Sequence, residues 1–238
     1  EQSKRYLCLD LDSEESIATV CSLLNQLPGS GPVLALRGPQ FYEPVVEPIT
    51  ASASLSLAFS SNDSALIAGY GGLGQVTAEW LLEQGVRSFG LILRRSCTEL
   101  QQKAIKALRD KGADVEVIVV DICDAKALKD ALEQHNIRPI LVYHTAHSGS
   151  DSSFFEAEED AFIQTLRVKT HGVMALAEAT EHLPLKQFCL FGSMVSWING
   201  PLTSAYAAAN RWQEHAAMAL QEKGLPAVTI LWGPWDCG

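Results

Sequence analysis

The sequence predicts an α/β protein of the Rossmann type, a doubly wound parallel sheet flanked by helices, and three observations predict it. Ser64 opens an apolar run that passes through clustered glycines into a helical pattern, SALIAGYGGLG followed by QVTAEWLLEQG; this is the strand, tight turn and helix of a dinucleotide-binding unit. Further short apolar runs, FGLIL, VEVIVVD, ILVYHTAH and QFCLFGS, recur along the chain and end on polar or small residues. Such runs suit parallel strands buried on both faces. Hydrophobic residues make up 47% of the 238 positions, ample for a packed core.

Taken from the amino end, RYLCLDL reads as a strand, SEESIATVCSLLNQLP as a helix capped by Ser13, and VLALRG as another strand. From Phe41 to Asp63 Pro, Ser and Ala mix without helical period, so this stretch reads as a connector, with a boundary near residue 60 dividing 1–60 from 61–238. No glycine fingerprint precedes that boundary, which assigns cofactor binding to the second part. There Gly69, Gly71, Gly72 and Gly74 let the backbone turn tightly and approach a pyrophosphate seated on the positive end of a helix. Tyr70 and Leu73 belong to the same turn. Ala78, Leu81 and Leu82 then repeat at helical spacing, and Gly85 closes the helix.

The strand from Phe89 to Leu93 ends in Arg94 and Arg95, where an NAD-specific protein carries an acid for the ribose hydroxyls. Guanidinium pairs with phosphate instead, so both arginines are expected near a 2'-phosphate and the preference is for NADPH. VEVIVVD delivers Asp121 to accept a hydrogen bond from the adenine amino group, and Ile122 borders the ring. ILVYHTAH brings His144, Thr145 and Ala146 to the same rim, where small residues leave room for the nicotinamide ribose. His144 and His147 alone lack the third and fourth ligands of a zinc site, so no metal is expected, and His144 reads as a hydrogen-bonded strand-end residue.

Chemistry concentrates between Ser193 and Asn210, in SMVSWINGPLTSAYAAAN. Ser193 ends an apolar strand, so its hydroxyl emerges at a carboxyl edge, where open α/β sheets bind ligands. Tyr206 and Asn210 stand four apart in an alanine-rich segment and share one helical face. A free phenol with a pKa of about 10 is a sluggish acid, and a neighbouring lysine ammonium favours its phenolate. Lys169 is the candidate for that ammonium. The set suits carbonyl reduction: Tyr206 donates the proton, Ser193 holds the substrate oxygen, and Asn210 positions Lys169 or an ordered water.

A net charge of −10 disfavours nucleic acid or an anionic membrane as the main partner. The six cysteines, Cys8, Cys21, Cys97, Cys123, Cys189 and Cys237, form no CxxC pair or dense framework, which fits reduced thiols in a cytoplasmic protein. No apolar run approaches the roughly 20 residues of a membrane helix, and the start Glu1-Gln2-Ser3-Lys4 is no signal peptide.

Together LIAGYGGLG, the two arginines, VVDICD, HTAH, LRVKTHG, the Ser193 segment, YAAAN and GLPAVTILWGPW resemble the ketoreductase domain of a modular polyketide synthase, a relative of the short-chain dehydrogenase/reductases. Ordinary short-chain reductases carry lysine four residues after the tyrosine; here Asn210 takes that place and Lys169 lies upstream, a swap shared with polyketide and animal fatty acid synthase ketoreductases. Carried over, the resemblance makes Tyr206 the proton donor, Ser193 the carbonyl anchor, and Lys169 and Asn210 the supporting pair. It implies NADPH-dependent reduction of a β-ketoacyl thioester to a β-hydroxyacyl thioester, with an acyl carrier protein delivering the substrate on its phosphopantetheine arm and neighbouring synthase domains as partners. It also implies that residues 1–60 are the closing part of a degenerate Rossmann-like structural subdomain.

The chain departs from the family pattern in places. Ala68 stands where many relatives have the first glycine of the fingerprint, and the sequence ends at WGPWDCG, where relatives continue into a lid helix and a last strand. The LDD motif of one stereochemical class is absent, Gly149-Ser150-Asp151 standing in that loop. The opposite class carries Trp eight residues before the tyrosine; Ile198 holds that place and Trp197 precedes it, nearer the tryptophan class. Thr203 and Ala208 are not the His and Pro that mark epimerising relatives, so reduction without epimerisation is expected. Alternative readings are a catalytically silent ketoreductase-like scaffold, which the retained quartet and glycine turn oppose, and a free-standing alcohol dehydrogenase or sugar-nucleotide epimerase, which the Asn210 and Lys169 swap opposes.

Overall fold

The computed structural model describes residues 9–13, 16–23, 34–38, 40–42, 45, 47–48, 58–148, 158–198 and 203–236. The chain divides into two compact units, Glu1–Ser56 and Leu57–Gly238.

In the first unit, strand β1 (Leu9–Leu11), helix α1 (Ser16–Leu23) and strands β2 (Leu34–Arg37) and β3 (Gln40–Tyr42) form a three-stranded sheet in the order β1-β2-β3. β1 runs parallel to β2, and β3 returns antiparallel to it. The third strand falls partly in the stretch read as a connector. Its two aromatics, Phe41 and Tyr42, pair with Leu36 and Ala35 because Gly38 turns the chain back at φ +56°, with Asp12 Oδ2 accepting its N–H at 3.0 Å. Three residues are too few for a period to show in sequence.

The second unit alternates strand and helix: β4 (Ser64–Ala68), α2 (Gly72–Glu83), β5 (Ser88–Leu93), α3 (Glu99–Asp110), β6 (Asp114–Val119), α4 (Ala125–Gln134), β7 (Leu141–His144), α5 (Glu159–Thr180), β8 (Gln187–Ser193), α6 (Ser204–Glu222) and β9 (Ala227–Trp232). Its sheet runs β6-β5-β4-β7-β8-β9, and every pairing is parallel. From β4 the chain winds outward to β6, then begins again on the other side of β4 with β7. The reversal opens a crevice above the carboxyl ends of β4 and β7, the usual ligand position in such sheets.

Alternation along each strand feeds two cores. Leu66, Ile92, Ile118, Val142, Phe188 and Leu190 face one helical layer, while Ala65, Ile67, Leu91, Tyr143 and Cys189 face the other. Leu66, Ile67, Leu91 and Phe188 have no exposed surface, and each such side chain contributes about 1.5–3 kcal/mol by leaving water. Both faces are covered, which is why the strands read as unbroken apolar runs.

Helix ends are fixed locally. Thr98 and Gln101 form a reciprocal capping box at the start of α3, and Asp124 caps α4 through the Ala127 N–H at 2.9 Å. Gly85, at φ +104°, ends α2 in a conformation that other residues rarely adopt.

One ion pair ties the entrances of two non-adjacent strands. Asp63, just before β4, is almost wholly buried and accepts Lys186 Nζ at 2.8 Å from the start of β8, while its other oxygen accepts the Ser60 N–H at 3.0 Å. Burial alone would raise this carboxyl, but the bonds from Lys186 and Ser60 outweigh it and hold it below its ordinary value. A depressed carboxylate stabilises the fold above its unfolded pKa, and that gain is lost as pH falls through the folded value. Lys186→Met is therefore expected to cost about 1–3 kcal/mol in urea denaturation at pH 7. The gap from the parent protein should begin to shrink once pH falls below the ordinary carboxylate value of about 4 and should close only below the depressed folded value, where Asp63 is protonated in both states; a gap that does not change on acidification would show that the pair is not its source.

Candidate functional site

The crevice at the strand reversal is a cleft of about 530 Å³. Its floor is the turn from β4 into α2. Gly69 sits at φ +96° and donates its N–H to Ile92 O at 3.0 Å. A Cβ on Gly69 would fall 2.6 Å from the Ala146 Cα, and one on Gly74 would strike the Gly69 carbonyl oxygen. Neither position can take a side chain without moving backbone. Thr145 locks the turn from the next strand, its Oγ1 lying 2.5 Å from Gly69 O and 3.2 Å from Ala68 O. Gly71 caps α2 in extended conformation, with no side-chain cap on the first N–H groups. The resulting bare helix start fits an anionic pyrophosphate.

Gly69, Gly71, Gly72, Leu73 and Gly74 line the cleft, and so do Thr145 and Ala146. Tyr70 lines it too, but with only 1% of its surface exposed its ring belongs to the core, and burial pushes its phenol up to about 12. Its carbonyl is held by Gln101 Nε2 at 2.8 Å.

At the outer end Arg94 lines the cleft from the end of β5 and is exposed, whereas Arg95 is exposed but absent from the lining. Asp121 and Ile122 line the same end. Asp121 Oδ1 accepts the Cys123 N–H at 2.9 Å, and Oδ2 pairs with Arg167 at 3.2 Å. Arg167 escaped sequence reasoning. Its signal was its place two residues before Lys169, on the part of α5 that returns over the cleft.

His144 does not reach the rim with Thr145 and Ala146: it is wholly buried and forms no part of the cleft lining, standing instead as a hydrogen-bonded residue at the end of its strand. As the last residue of β7 it points into the helical layer, with Nε2 3.1 Å from Val168 O. Burial, with Lys169 nearby, pulls its pKa down to about 3, so the ring is neutral and Nε2 carries the hydrogen that Val168 O accepts.

The proposed proton site lies between α5, α6 and β8. Thr165, Val168, Lys169, Gly172, Val173 and Leu176 form the buried stripe of α5, which puts a lysine in a core position. Lys169 is 3% exposed. Its Nζ donates to Phe191 O at 2.8 Å and Gln213 Oε1 at 3.0 Å, and lies 5.6 Å from the centre of the Tyr206 ring. Burial pulls its pKa down to about 7. Among the described residues no carboxylate pairs with it. The His147 ring, on the cleft wall, meets Tyr206 edge-on with centroids 4.9 Å apart.

Asn210 does not reach Lys169. It is wholly buried, but its Nδ2 donates to Tyr206 O at 2.7 Å within its own helix, and its Oδ1 has no partner among the described residues. The amide that reaches Lys169 is that of Gln213, one turn further along α6 and one methylene longer. Ser193 ends β8 as expected, its Oγ accepting the Val195 N–H at 3.4 Å at the head of a short 3-10 turn, Met194–Ser196. Trp197 is tied to α6 through Nε1 to Glu214 Oε2 at 2.8 Å, under the Arg211 guanidinium at 4.1 Å. The Gly149-Ser150-Asp151 loop lies outside the described residues.

Known proteins share the family and the fold. The family profile of the KR domain matches residues 64–237. A phenolphthiocerol/phthiocerol polyketide synthase of Mycobacterium tuberculosis is 33% identical over 193 residues, covering 80% of this chain and 9% of that protein. Prosolanapyrone synthase of Alternaria solani is 32% identical over 179 residues, 74% of this chain and 7% of the relative. The chain thus spans less than a tenth of these curated relatives. Among solved structures, the first ketoreductase of the tylosin polyketide synthase superposes with a TM-score of 0.83 at 26% identity, covering 97% of this chain and 51% of that one. The ketoreductase from the first phoslactomycin module of Streptomyces sp. HK803 gives 0.82 at 25% identity, covering 97% and 55%. With a parallel sheet that turns on glycines at its reversal and superposes on these structures, and with the family profile matching residues 64–237, the chain belongs to the KR domain family, the ketoreductase domains of polyketide synthases.

Proposed function

We propose that this domain reduces a β-ketoacyl thioester, carried by an acyl carrier protein, to the β-hydroxyacyl thioester with NADPH. The observation that supports it most is the buried Lys169 ammonium beside the Tyr206 ring, without a carboxylate partner among the described residues. NADPH, when bound, supplies the hydride that the carbonyl carbon takes up. Gly69, Gly71, Gly72 and Gly74 with the head of α2 would hold its pyrophosphate, Thr145 and Ala146 its nicotinamide half, and Asp121 and Ile122 its adenine. Arg94, with Arg95 further out, would face the 2'-phosphate.

The protein's own groups handle the proton. The Ser193 hydroxyl donates a hydrogen bond to the ketone oxygen and holds it near Tyr206. The Tyr206 O–H bond breaks as its proton passes to that oxygen, and the phenolate left behind is stabilised by the Lys169 ammonium. Asn210 fixes the Tyr206 turn of α6. Residues 1–60 carry none of these groups and are assigned no chemical role; neighbouring synthase domains would supply and remove the carrier protein in the cytoplasm.

A β-keto thioester offered with NADPH, followed by loss of NADPH absorbance, tests the reading; no oxidation by protein with an intact fold would refute it. Tyr206→Phe is expected to lower kcat about 100-fold or more, since general acid catalysis is worth roughly that, while NADPH affinity measured by fluorescence titration changes little. Arg94→Ala should weaken NADPH binding about tenfold or more, the scale of a lost charge-assisted bond, and leave NADH binding unchanged. Equal losses for both cofactors would remove Arg94 from phosphate recognition.

A further inference from the structure

We propose that Gln213 is the positioning residue of the proton site, holding the Lys169 ammonium in place from α6 through a hydrogen-bond chain that ends on Val168 O. The inference deepens the proposed function and rests on its assignment of Lys169 as the partner of Tyr206.

The chain has only one consistent direction. Val168 O can only accept, so His144 Nε2, 3.1 Å away, carries the hydrogen. His144 Nδ1 is then an acceptor, and Gln213 Nε2 faces it at 3.4 Å. That orientation turns Gln213 Oε1 to Lys169 Nζ at 3.0 Å, and a second ammonium hydrogen goes to Phe191 O at 2.8 Å. A flipped amide would set an NH2 group against an ammonium and a carbonyl oxygen against a lone pair. Three elements, β7, α6 and β8, thus agree on where the lysine nitrogen sits.

Packing alone gives no reason for a glutamine here. Gln213 is wholly buried on the stripe Ala209, Asn210, Ala216, Ala217 and Leu220, where an aliphatic side chain would fit without desolvating an amide. Its backbone is pinned as well, Thr229 Oγ1 of β9 donating to Gln213 O at 3.1 Å. Among the described residues, the titratable groups packed against Lys169 are His144 on β7, held neutral by burial, and Tyr206 on α6; the neighbouring Glu214 turns its Oε2 to Trp197 and Arg211 while its buried Oε1 has no partner, and Arg167 pairs with Asp121. Among the described residues, Gln213 Oε1 is the side-chain oxygen hydrogen-bonded to Lys169 Nζ, and such a bond favours the charged lysine.

The test follows the lysine itself, without turnover. Protein labelled with 13C at lysine Cε is titrated by NMR, and the Lys169 signal is identified by its absence in Lys169→Met. In the parent protein Lys169 should titrate near neutrality, since burial brings it to about 7. Gln213→Met removes the acceptor at nearly constant volume and should lower that midpoint by roughly one pH unit or more, the scale of a hydrogen bond to a charged group. Gln213→Glu supplies a carboxylate instead and should raise it. Opposite shifts support positioning by Gln213; shifts of the same sign, or none, overturn it, because general loosening would move both variants alike. Should Gln213→Met not fold, the rise in Gln213→Glu decides alone. If the parent domain oxidises no NADPH with any thioester, the reductase reading fails while the titration still reports on Gln213.

Discussion

The proposed chemistry of this domain depends on a cation kept out of water. An ammonium buried to 3% exposure with only oxygen dipoles around it is costly to charge. Lys169 meets that cost with the Phe191 carbonyl and the Gln213 amide in place of a carboxylate. A carboxylate at that spot would neutralise the field that Tyr206 feels, while neutral acceptors leave the charge available to a phenolate. His144 obeys the same constraint, since a second cation beside Lys169 would be prohibitive and burial keeps the ring neutral.

The second constraint is steric. At the sheet reversal, α2 must start within contact of the β4 backbone, and Gly74 lies so close to Gly69 O that no Cβ fits. Thr145 and Ala146 press on the turn from β7, so the phosphate end of the cleft and the strand carrying His144 share one wall. The network that fixes Lys169 and the turn that would fix the cofactor therefore meet at consecutive residues, His144 and Thr145. Rigid strands, not loops, set the distance between them.

The sheet was legible because buried parallel strands leave long apolar runs and the glycine turn leaves a pattern with a mechanism. Ser193, Tyr206 and the glycine turn were legible for the same reason: position at a strand's end or on a helix face follows from periodicity. Partner choice was not. Asn210 and Gln213 are both amides on one face of α6, and only side-chain length and the curl of Asn210 toward Tyr206 O decide which one reaches the lysine. His144 was misplaced because residues at a strand's end look equivalent in sequence while alternate ones point inward. Arg167 lay hidden because its role depends on α5 returning over Asp121, a long-range event that no local window holds.

α5 links these parts through three consecutive residues. Arg167 faces the cleft and Asp121, Val168 presents its carbonyl to His144, and Lys169 turns into the core toward Tyr206. At about 100° of rotation per residue in a helix, three neighbours can address three surroundings, but only in one register. A slip of one residue would bury the Arg167 guanidinium where the ammonium belongs, with nothing of opposite charge to meet it. Gly172 allows the register, because a Cβ there would stand 3.3 Å from His144 Nε2 and push the helix from the ring that it must touch. The register of one helix thus couples the proposed cofactor end of the cleft to the proposed proton end, and Gly172 keeps the helix close to the ring that α5 touches.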